Sequence, residues 1–451
     1  MGKKLTTREY VYVASMLFGM FFGAGNLIFP VSAGQYAGSQ IWTATLGLLI
    51  TAVGMPLLAV AALGISRSTG LYDLSGKAGR PFGLFFTCLL YLTIGPFFAI
   101  PRCASTAFTV GLEQLLPAGG PGWLFLLLFS LLFFGAVLFF ALRPGRILTW
   151  IGKILNPFFL LFLGILVVVA LTAPGASFVG AEPLGSYAAQ PFSAGFLEGY
   201  NTMDTLAGLA FGIVVVQVIR DLGVEDPGAV AAGTVRAGVF SCLLMGLIYL
   251  AVAMVGAKSR AFFAPAENGG IALAQIALCC LGTPGLVILA VTVTLACLKT
   301  AVGLITSCAE TFAALFPRGP KYRTWAILFC LGSFLIANLG LSAIINYSLP
   351  VLMFLYPLSI VLILLALLSR FFGGDRTVYR WTIGFTLVAA VYDLFCALPA
   401  AVKTALHLDG LLTFLTRILP LAELGLGWML PALLGFLLGL ALHFLRRPKN
   451  V

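Results

Sequence analysis

The chain has 451 residues, of which 61% are hydrophobic and 9% are charged, and its formal net charge is +11. Soluble domains carry roughly 25% charged residues, so this composition excludes a soluble globular protein. The mean hydropathy is +1.08, and long apolar stretches recur from one end to the other. We therefore expect one membrane domain over residues 1–451, built as an all-α polytopic protein.

Transmembrane helices are predicted from apolar stretches that are long enough to cross a bilayer. Each helix needs about 20 such residues, and the sequence offers about twelve candidates in chain order. The predicted spans, numbered 1 to 12, are 9–35, 40–65, 82–112, 122–142, 147–172, 194–219, 229–257, 284–316, 323–340, 345–369, 379–402 and 427–445.

The positive charges are distributed unequally over the loops between these spans. Of the 26 Lys and Arg residues, 20 fall on one side of the membrane and 4 on the other, with Arg102 and Lys299 inside spans. The positive-inside rule then places both termini in the cytoplasm. The net charge therefore reports topology, and its expected partners are lipid headgroups rather than a nucleic acid.

The first span is interrupted midway by the segment FGAGNLIFP at 22–30. Glycine leaves helical dihedrals readily and exposes backbone donors and acceptors. Irregular backbone at membrane depth is tolerated only where it lines a cavity or is buried in protein. The segment predicts a broken helix, and a patch of small residues for helix packing is the alternative.

The sixth span contains the polar segment EGYNTMDT at 198–205. Carboxylates inside a span are costly and usually functional, and this segment holds two, Glu198 and Asp204. We predict a second broken helix here. The alternative is that the span begins later and that Glu198 lies at the membrane interface.

Breaks in spans 1 and 6 divide the first ten spans into two units of five. The units cover about 9–172 and 194–369, and two additional helices follow at about 379–445. Because five is odd, the second unit enters the membrane inverted relative to the first. The pattern predicts a 5+5 inverted repeat with its site near mid-membrane, between the two broken helices.

A site of this kind suits a zwitterion. The helix that begins after Gly25 directs free N–H groups and the positive end of its dipole towards a carboxylate. Carbonyls freed near Gly23 and Gly199 can accept hydrogen bonds from an ammonium group. Ile100, Tyr200 and neighbouring phenylalanines are expected to bind an apolar side chain.

Four long segments carry a resemblance to a known family: FGAGNLIFP at 22–30, GPFFAIPR at 95–102, EGYNTMD at 198–204 and ACLKTAVGL at 296–304. In order and spacing over nearly the whole chain, it resembles the bacterial branched-chain amino acid:cation symporters, the LIVCS or BrnQ family. The family implies cation-driven uptake of leucine, isoleucine and valine across the bacterial inner membrane. It also implies a plan similar to that of the LeuT-like transporters.

Together with the two breaks, this resemblance gives two sets of candidate site residues. The expected substrate ligands are Gly23, Ala24, Gly25, Asn26, Ile100, Glu198, Gly199, Tyr200, Asn201 and Asp204. The expected cation site comprises Gly19, Phe22, Asn26, Lys299 and Thr300. Sodium is the only metal expected, as a coupling ion, and no other cofactor is implied.

Lys299 departs from the family pattern. Relatives read Ala-Cys-Leu-Thr-Thr in span 8, whereas here a lysine replaces the first threonine. A lysine at mid-membrane costs roughly 2.5–3.5 kcal/mol. We hypothesise that its ammonium group takes the place of sodium, held by carbonyls of span 1 and by Thr300, so that transport is sodium-independent or proton-coupled. The alternative is a lysine that snorkels or pairs with a carboxylate such as Asp204.

Two further features have a structural and a functional interpretation. Arg102 in span 3 is interpreted either as a gate or tether between helices or as a buried arginine satisfied by carbonyls. The segment 258–283, which contains Asn268, Gly269 and Gly270, is expected by analogy to form a short external helix that acts as a lid.

Other functional classes fit the sequence less well. The chain has only two histidines, His407 and His443, so an enzyme with a histidine-based centre is not expected. An ATP-driven pump would need a GxxxxGK[ST] loop, which the sequence lacks. The remaining alternative to a transporter is a channel or facilitator for small apolar solutes.

Overall fold

The computed structural model describes residues 5–23, 25–66, 68, 70–116, 120–143, 156–172 and 181–446. Helices dominate this part of the chain, and it contains no β-strand. The predicted all-α membrane class is therefore confirmed.

The helices are numbered here in chain order. Those of the first half are α1 Thr7–Phe21, α2 Gly25–Ala37, α3 Ile41–Leu49, α4 Met55–Ile65, α5 Leu71–Gly76, α6 Arg80–Leu92, α7 Ala99–Ala107, α8 Gly122–Ala141 and α9 Asn156–Thr172. Those of the second half are α10 Ser186–Ala189, α11 Pro191–Thr202, α12 Asp204–Asp221, α13 Pro227–Ser259, α14 Gly269–Leu315, α15 Tyr322–Ala337, α16 Leu341–Leu368, α17 Arg376–Ala397, α18 Ala400–Ala405, α19 Asp409–Ile418 and α20 Met429–Arg446.

Single turns of π or 3₁₀ helix join or extend several of these helices. A π turn links α3 to α4, another links α6 to α7, and a third follows α7. The turns are Gly38–Gln40, Ile50–Gly54, Thr93–Phe97, Phe108–Leu112, Glu113–Leu115, Ser369–Phe371 and Ala422–Leu424.

Each predicted span contains at least one described helix, although residues 147–155 of the fifth lie outside the described residues. Seven described stretches are long and apolar enough to cross a membrane, and three shorter apolar helices accompany them. Helices α1 and α11 have only 15 and 12 residues, because each is one half of a broken span. The seven stretches are Gly25–Ile65, Arg80–Leu115, Gly122–Ala141, Gly228–Ser259, Gly269–Leu315, Leu341–Phe371 and Arg376–Ala397.

The outer surface of the helix bundle is apolar. Leu132 and Val388 are 75% and 74% exposed, which would be unfavourable over a large area in water. The interior is also largely apolar and encloses large aromatic side chains, among them Tyr249 and Tyr356. An apolar outer surface is the arrangement that a lipid environment favours.

Helix packing repeats between the two units with their roles exchanged. Half-helix α2 of span 1 packs on α13 of span 7, and half-helix α12 of span 6 packs on α4 of span 2. Likewise α1 packs on α13 and α11 packs on α3, whereas span 3 packs on span 8. A two-fold relation between spans 1–5 and 6–10 requires this exchange.

Glycines bring two of these helix pairs into backbone contact. A Cβ atom on Gly195 of α11 would lie 1.9 Å from the carbonyl oxygen of Ala44 in α3. Between spans 1 and 7, a Cβ atom on Gly34 of α2 would lie 2.0 Å from the carbonyl oxygen of Ala253 in α13. Only glycine fits at such distances, as in other membrane helix contacts. We call these two places the glycine contacts.

Helix α14 is bent at Gly282, whose φ of 65° and ψ of −166° are not helical. Residues 269–281 therefore form a short helix of their own before span 8, in the segment where one was predicted. Asn268 caps it by accepting hydrogen bonds from the N–H groups of Gly270 and Ile271, at 3.0 and 3.1 Å. Its action as a lid stays a prediction.

Candidate functional site

Span 1 is broken within the predicted segment. Helix α1 ends at Phe21 and α2 begins at Gly25, with Phe22 extended between them at φ −74° and ψ 103°. The Asn26 side chain stabilises the break, because its Oδ1 accepts a hydrogen bond of 2.6 Å from the Gly23 N–H. The N–H groups in the first turn of α2 have no acceptor within the helix, and they face the space beside the break. Ala24, a predicted substrate ligand, lies outside the described residues.

Span 6 is broken at Met203, also within the predicted segment. Helix α11 ends at Thr202 and α12 begins at Asp204. Met203 adopts φ 63° and ψ 12°, a left-handed conformation that costs a residue with a side chain about 1–2 kcal/mol. Strained backbone of this kind tends to occur at functional sites. Both interruptions inferred from glycine and charge in apolar spans are thus present.

A buried hydrogen-bonded cluster joins the two breaks to span 7. The Nδ2 of Asn26 donates to the Asp204 carboxylate, at 3.1 Å to Oδ1 and 2.9 Å to Oδ2. The Tyr249 hydroxyl donates to Oδ2 of the same carboxylate and also contacts Asn26. All three residues are buried. Tyr249 was not predicted, because one tyrosine in an otherwise apolar helix gives no sign of which way it faces.

Arg102 lies on the opposite side of the same space. Its Nη1 donates to the Asn201 carbonyl at 2.7 Å and its Nη2 contacts the Thr202 carbonyl at 3.5 Å. The guanidinium group also lies over the Phe29 ring, 4.9 Å from its centroid. Arg102 therefore contacts both broken helices. These contacts agree with both interpretations of Arg102, as a tether between helices and as a buried arginine that donates to carbonyls.

A cavity of about 40 Å³ lies between the two breaks. Gly23, Gly25, Asn26, Asp204 and Thr300 of the predicted set line it. Pockets that hold small ligands have volumes of about 300–1,000 Å³, so an amino acid binds here only if the cavity expands.

The walls of this cavity differ in polarity. Near the breaks it is lined by Arg102, Thr202 and Asp204, and further along spans 3, 6 and 8 it is lined by apolar side chains. These apolar residues are Ile94, Ala207, Phe211 and Leu304. The cavity therefore has a polar end and an apolar end.

Other predicted substrate residues lie away from the cavity wall in this conformation. Tyr200 stacks on Tyr356 of span 10 with ring centroids 4.0 Å apart, and Ile100 is fully buried among apolar side chains. These residues sit on helix faces that turn towards neighbouring spans, and their assignment to the substrate stays a prediction.

Three other predicted residues before the second break make contacts within helix α11 or between it and neighbouring spans. Glu198 accepts a hydrogen bond of 3.1 Å from Nδ2 of Asn201, one turn later. A Cβ atom on Gly199 would lie 1.9 Å from Oγ1 of Thr51, so this glycine permits close packing against span 2. Asn201 supplies the carbonyl that Arg102 binds. Their contact with substrate also stays a prediction.

The predicted cation site brings spans 1 and 8 together. The Thr300 hydroxyl lies 3.5 Å from the Phe22 carbonyl oxygen, and a Cβ atom on Gly23 would lie 3.1 Å from the Thr300 side chain. Lys299 is buried beside Thr300, and Gly19 is buried in α1. The described residues form no cluster of three His, Cys, Asp or Glu side chains that could hold a metal ion. A cation here would depend on carbonyl and hydroxyl oxygens.

The fold of the described residues is found in solved structures of distant sequence. The chain is similar to Mhp1, a nucleobase-cation-symport-1 family transporter, in a closed conformation with bromovinylhydantoin bound, at 18% identity and a TM-score of 0.60 over 96% of this chain and 91% of that one. It is also similar to MhsT in complex with L-phenylalanine, at 18% identity and a TM-score of 0.56 over 88% and 99% of the two chains. The fold with its two breaks is therefore the LeuT-like fold of a polytopic membrane protein.

Sequence comparison identifies the family. The profile described as "Branched-chain amino acid transport protein" matches residues 6–446. The chain therefore belongs to this family, whose members are transporters rather than enzymes, as the sequence predicted.

Individual relatives match over almost their whole length. The branched-chain amino acid permease BrnQ of Lactobacillus delbrueckii subsp. lactis is 52% identical, with 96% of each chain covered. The branched-chain amino acid transport system 2 carrier protein of Pseudomonas aeruginosa is 41% identical, again with 96% of each chain covered. The BrnQ permease of Bacillus subtilis is 38% identical, with 99% of each covered. The predicted resemblance is confirmed.

Proposed function

We propose that this chain imports leucine, isoleucine and valine across the bacterial inner membrane by cation symport. The observation that carries the proposal is the pair of broken helices facing each other across a cavity with one polar and one apolar end. A zwitterion with a branched aliphatic side chain matches both ends. The names of the relatives, permeases and carriers of branched-chain amino acids, support the same substrate class.

Alternating access is the transport mode that we propose. The cavity is too small for an amino acid in this conformation, so a transport cycle must enlarge it and open it to each side in turn. The inverted repeats at about 9–172 and 194–369 would move relative to each other around the fixed breaks.

Uptake into proteoliposomes tests the function. We expect labelled L-leucine to accumulate above its external concentration when an inward ion gradient is imposed, and collapse of the gradient to release it. Equilibration without accumulation would instead favour the second candidate, a facilitator for small apolar solutes. Absence of any leucine, isoleucine or valine uptake would contradict the proposal.

We further propose that Lys299 supplies the positive charge that a coupling sodium ion would provide. Two observations support this role: the lysine is buried in span 8, and its neighbour Thr300 contacts the carbonyl at the break in span 1. Coupling would then run on protons or proceed without sodium, because a buried amine can exchange a proton.

Replacing sodium with choline tests this coupling. We expect wild-type leucine uptake to persist in choline, and Lys299→Thr, which restores the pattern of the relatives, to make uptake depend on sodium. Complete loss of wild-type uptake in choline would remove the hypothesis and leave sodium as the coupling ion.

Both termini are proposed to face the cytoplasm, on the ground of the positive charges in the loops. Helix α20, which ends at Arg446, would then deliver the carboxyl end to the cytoplasm. A green fluorescent protein fused there should fluoresce, whereas alkaline phosphatase fused there should be inactive. The reverse result would invert the topology.

A further inference from the structure

Arg102 is a buried cation in span 3, and the proposed transport cycle does not account for its charge. Span 3 is kinked before it, since Gly95 has non-helical dihedrals of φ −90° and ψ −125° and Pro96 follows. The kink precedes helix α7, from which Arg102 reaches the break in span 6. The residue is only 3% exposed, so its charge is removed almost completely from solvent.

The guanidinium group is incompletely satisfied. It has five N–H donors, and its Nε is buried without a hydrogen-bond partner among the described residues. Its protein partners are the carbonyls of Asn201 and Thr202 and the Phe29 ring. No described carboxylate lies within ion-pair distance of it. Carbonyl dipoles do not neutralise a formal charge, and burying an unpaired charge is costly.

The surroundings of Arg102 favour an anion. The residue lines the cavity together with Gly25 and Asn26, the first residues of α2. A Cβ atom on Gly25 would lie 2.9 Å from Nη2 of Arg102, so this glycine lets the guanidinium group approach the amino end of the helix. Free N–H groups, the positive end of the helix dipole and a guanidinium group thus converge on one place.

The cavity wall also carries the opposite charge. The Asp204 carboxylate is held by Asn26 and Tyr249, and the described residues show no ion pair between it and Arg102. One basic and one acidic side chain therefore line a single small cavity, and neutral groups supply the hydrogen bonds to each of them. This arrangement is complementary to a molecule that carries both charges itself.

We propose that Arg102, with the amino end of α2, is the receptor for the substrate carboxylate, and that Asp204 receives the ammonium group. The side chain of the amino acid then extends towards Ile94, Phe211 and Leu304. The inference rests on the proposed function and deepens it, because it names the group that recognises the α-carboxylate. Arg102 also contacts both broken helices, so an occupied carboxylate site links them.

The test separates recognition of the carboxylate from support of the fold. Labelled L-leucine uptake is measured in proteoliposomes with two unlabelled competitors: L-leucine, and L-leucinol, in which an alcohol replaces the carboxylate. In the wild type we expect leucine to compete about a hundredfold better than leucinol, since a charge-assisted bidentate contact is lost. The preference should shrink about tenfold or more in Arg102→Gln and partly return in Arg102→Lys, which keeps the charge.

Arg260→Gln is a matched control. Arg260 also donates to backbone carbonyls, to Gln35 at 2.8 Å and Glu182 at 3.4 Å, but it does not line the cavity. We expect its substitution to leave the preference for leucine over leucinol unchanged. If Arg102→Gln weakens both competitors equally, or leaves leucine binding intact, Arg102 only fastens the helices and the proposal is wrong.

Two further measurements keep the test decisive. If Arg102→Gln does not fold, Arg102→Lys and thermal stabilisation of each purified protein by leucine and leucinol give the same comparison. If the wild type neither transports nor is stabilised by leucine, it is the proposed function that fails. If the wild type responds equally to leucine and leucinol, only the carboxylate receptor fails.

Discussion

The Asp204 carboxylate shows how single residues make a charged group tolerable at membrane depth. Asn26 and Tyr249 donate hydrogen bonds to it from two other spans, so the carboxylate is held by hydrogen bonds rather than by an ion pair. Hydrogen bonds to charged groups contribute about 1.5–3 kcal/mol each. The position of the carboxylate therefore depends on both donors.

Tyr249→Phe removes one of these donors and keeps the ring. We expect the initial rate of leucine uptake at low leucine concentration to fall about tenfold or more, because one hydrogen bond to a buried carboxylate is lost. Tyr379→Phe is the matched control, since the Tyr379 hydroxyl has no hydrogen-bond partner among the described residues. A Tyr249→Phe protein that transports as well as the control would contradict this role.

The residues of the site were predictable to different degrees. Asn26 and Asp204 stand out in the sequence because lipid penalises polar groups unless they serve a purpose. Tyr200 stacks on Tyr356 in this conformation. Its orientation was not predictable, because tertiary packing decides which face of a helix a tyrosine occupies. Arg102 stands out as a charge inside span 3, but its approach to the end of α11 depends on a kink whose angle the sequence does not specify.

At the level of elements, the glycine contacts fix two pairs of helices. Gly195 and Gly34 each lie against a backbone carbonyl of the facing helix. Lipid chains give no hydrophobic force between helices, so close van der Waals contact stabilises the pairs. The two breaks were predictable to within a few residues, but these partners were not, because small residues occur throughout the spans.

Gly195→Ala tests the contact in the second unit. The added Cβ atom would lie 1.9 Å from the Ala44 carbonyl oxygen, so α11 and α3 must separate, and we expect a loss of about 1–3 kcal/mol of stability. The measurement is the thermal unfolding temperature in detergent. Gly135→Ala in α8 is the control, because nothing lies within 4 Å of its added atom. Equal unfolding temperatures for the two variants would show that the contact is loose.

At the scale of the whole molecule, the two additional helices are joined to each other by a hydrogen bond between Asp375 and His443. Asp375 precedes α17 and caps it, accepting a hydrogen bond of 2.7 Å from the Thr377 N–H. Its other oxygen bonds Nδ1 of His443 in α20. The His443 hydrogen bond, followed by the Thr377 N–H, lowers the pKa of Asp375 below its usual value. The pair therefore holds the end of α20 against the start of α17.

The lowered pKa gives this pair a defined pH dependence. A carboxyl group with a depressed pKa in the folded state stabilises the fold above its unfolded pKa of about 3.9, and this contribution disappears as the pH falls through the folded value. Asp375→Asn keeps an effective N-cap but removes the charge. At neutral pH we expect this variant to unfold more easily by about 1 kcal/mol.

The measurement is thermal unfolding of both proteins in detergent from neutral to strongly acidic pH. The difference between them should persist down to about pH 4 and vanish below it. His443→Gln should have little further effect in the Asp375→Asn background, because the two residues act as one unit. A difference between the proteins that does not change with pH would contradict the ionic role of Asp375.

The close fit of α2 against α13 also constrains how the protein is made. A polypeptide emerges from the ribosome amino end first, so α2 enters the membrane long before α13 has been synthesised. Gln35, near the end of α2, donates a hydrogen bond of 2.9 Å to Ser259 at the end of α13. The two residues are 224 positions apart in the chain. Helix α11, by contrast, finds α3 already in place. A nascent chain that stops after its fifth span therefore lacks the packing partner of α2, and this contact forms only once the seventh span is inserted.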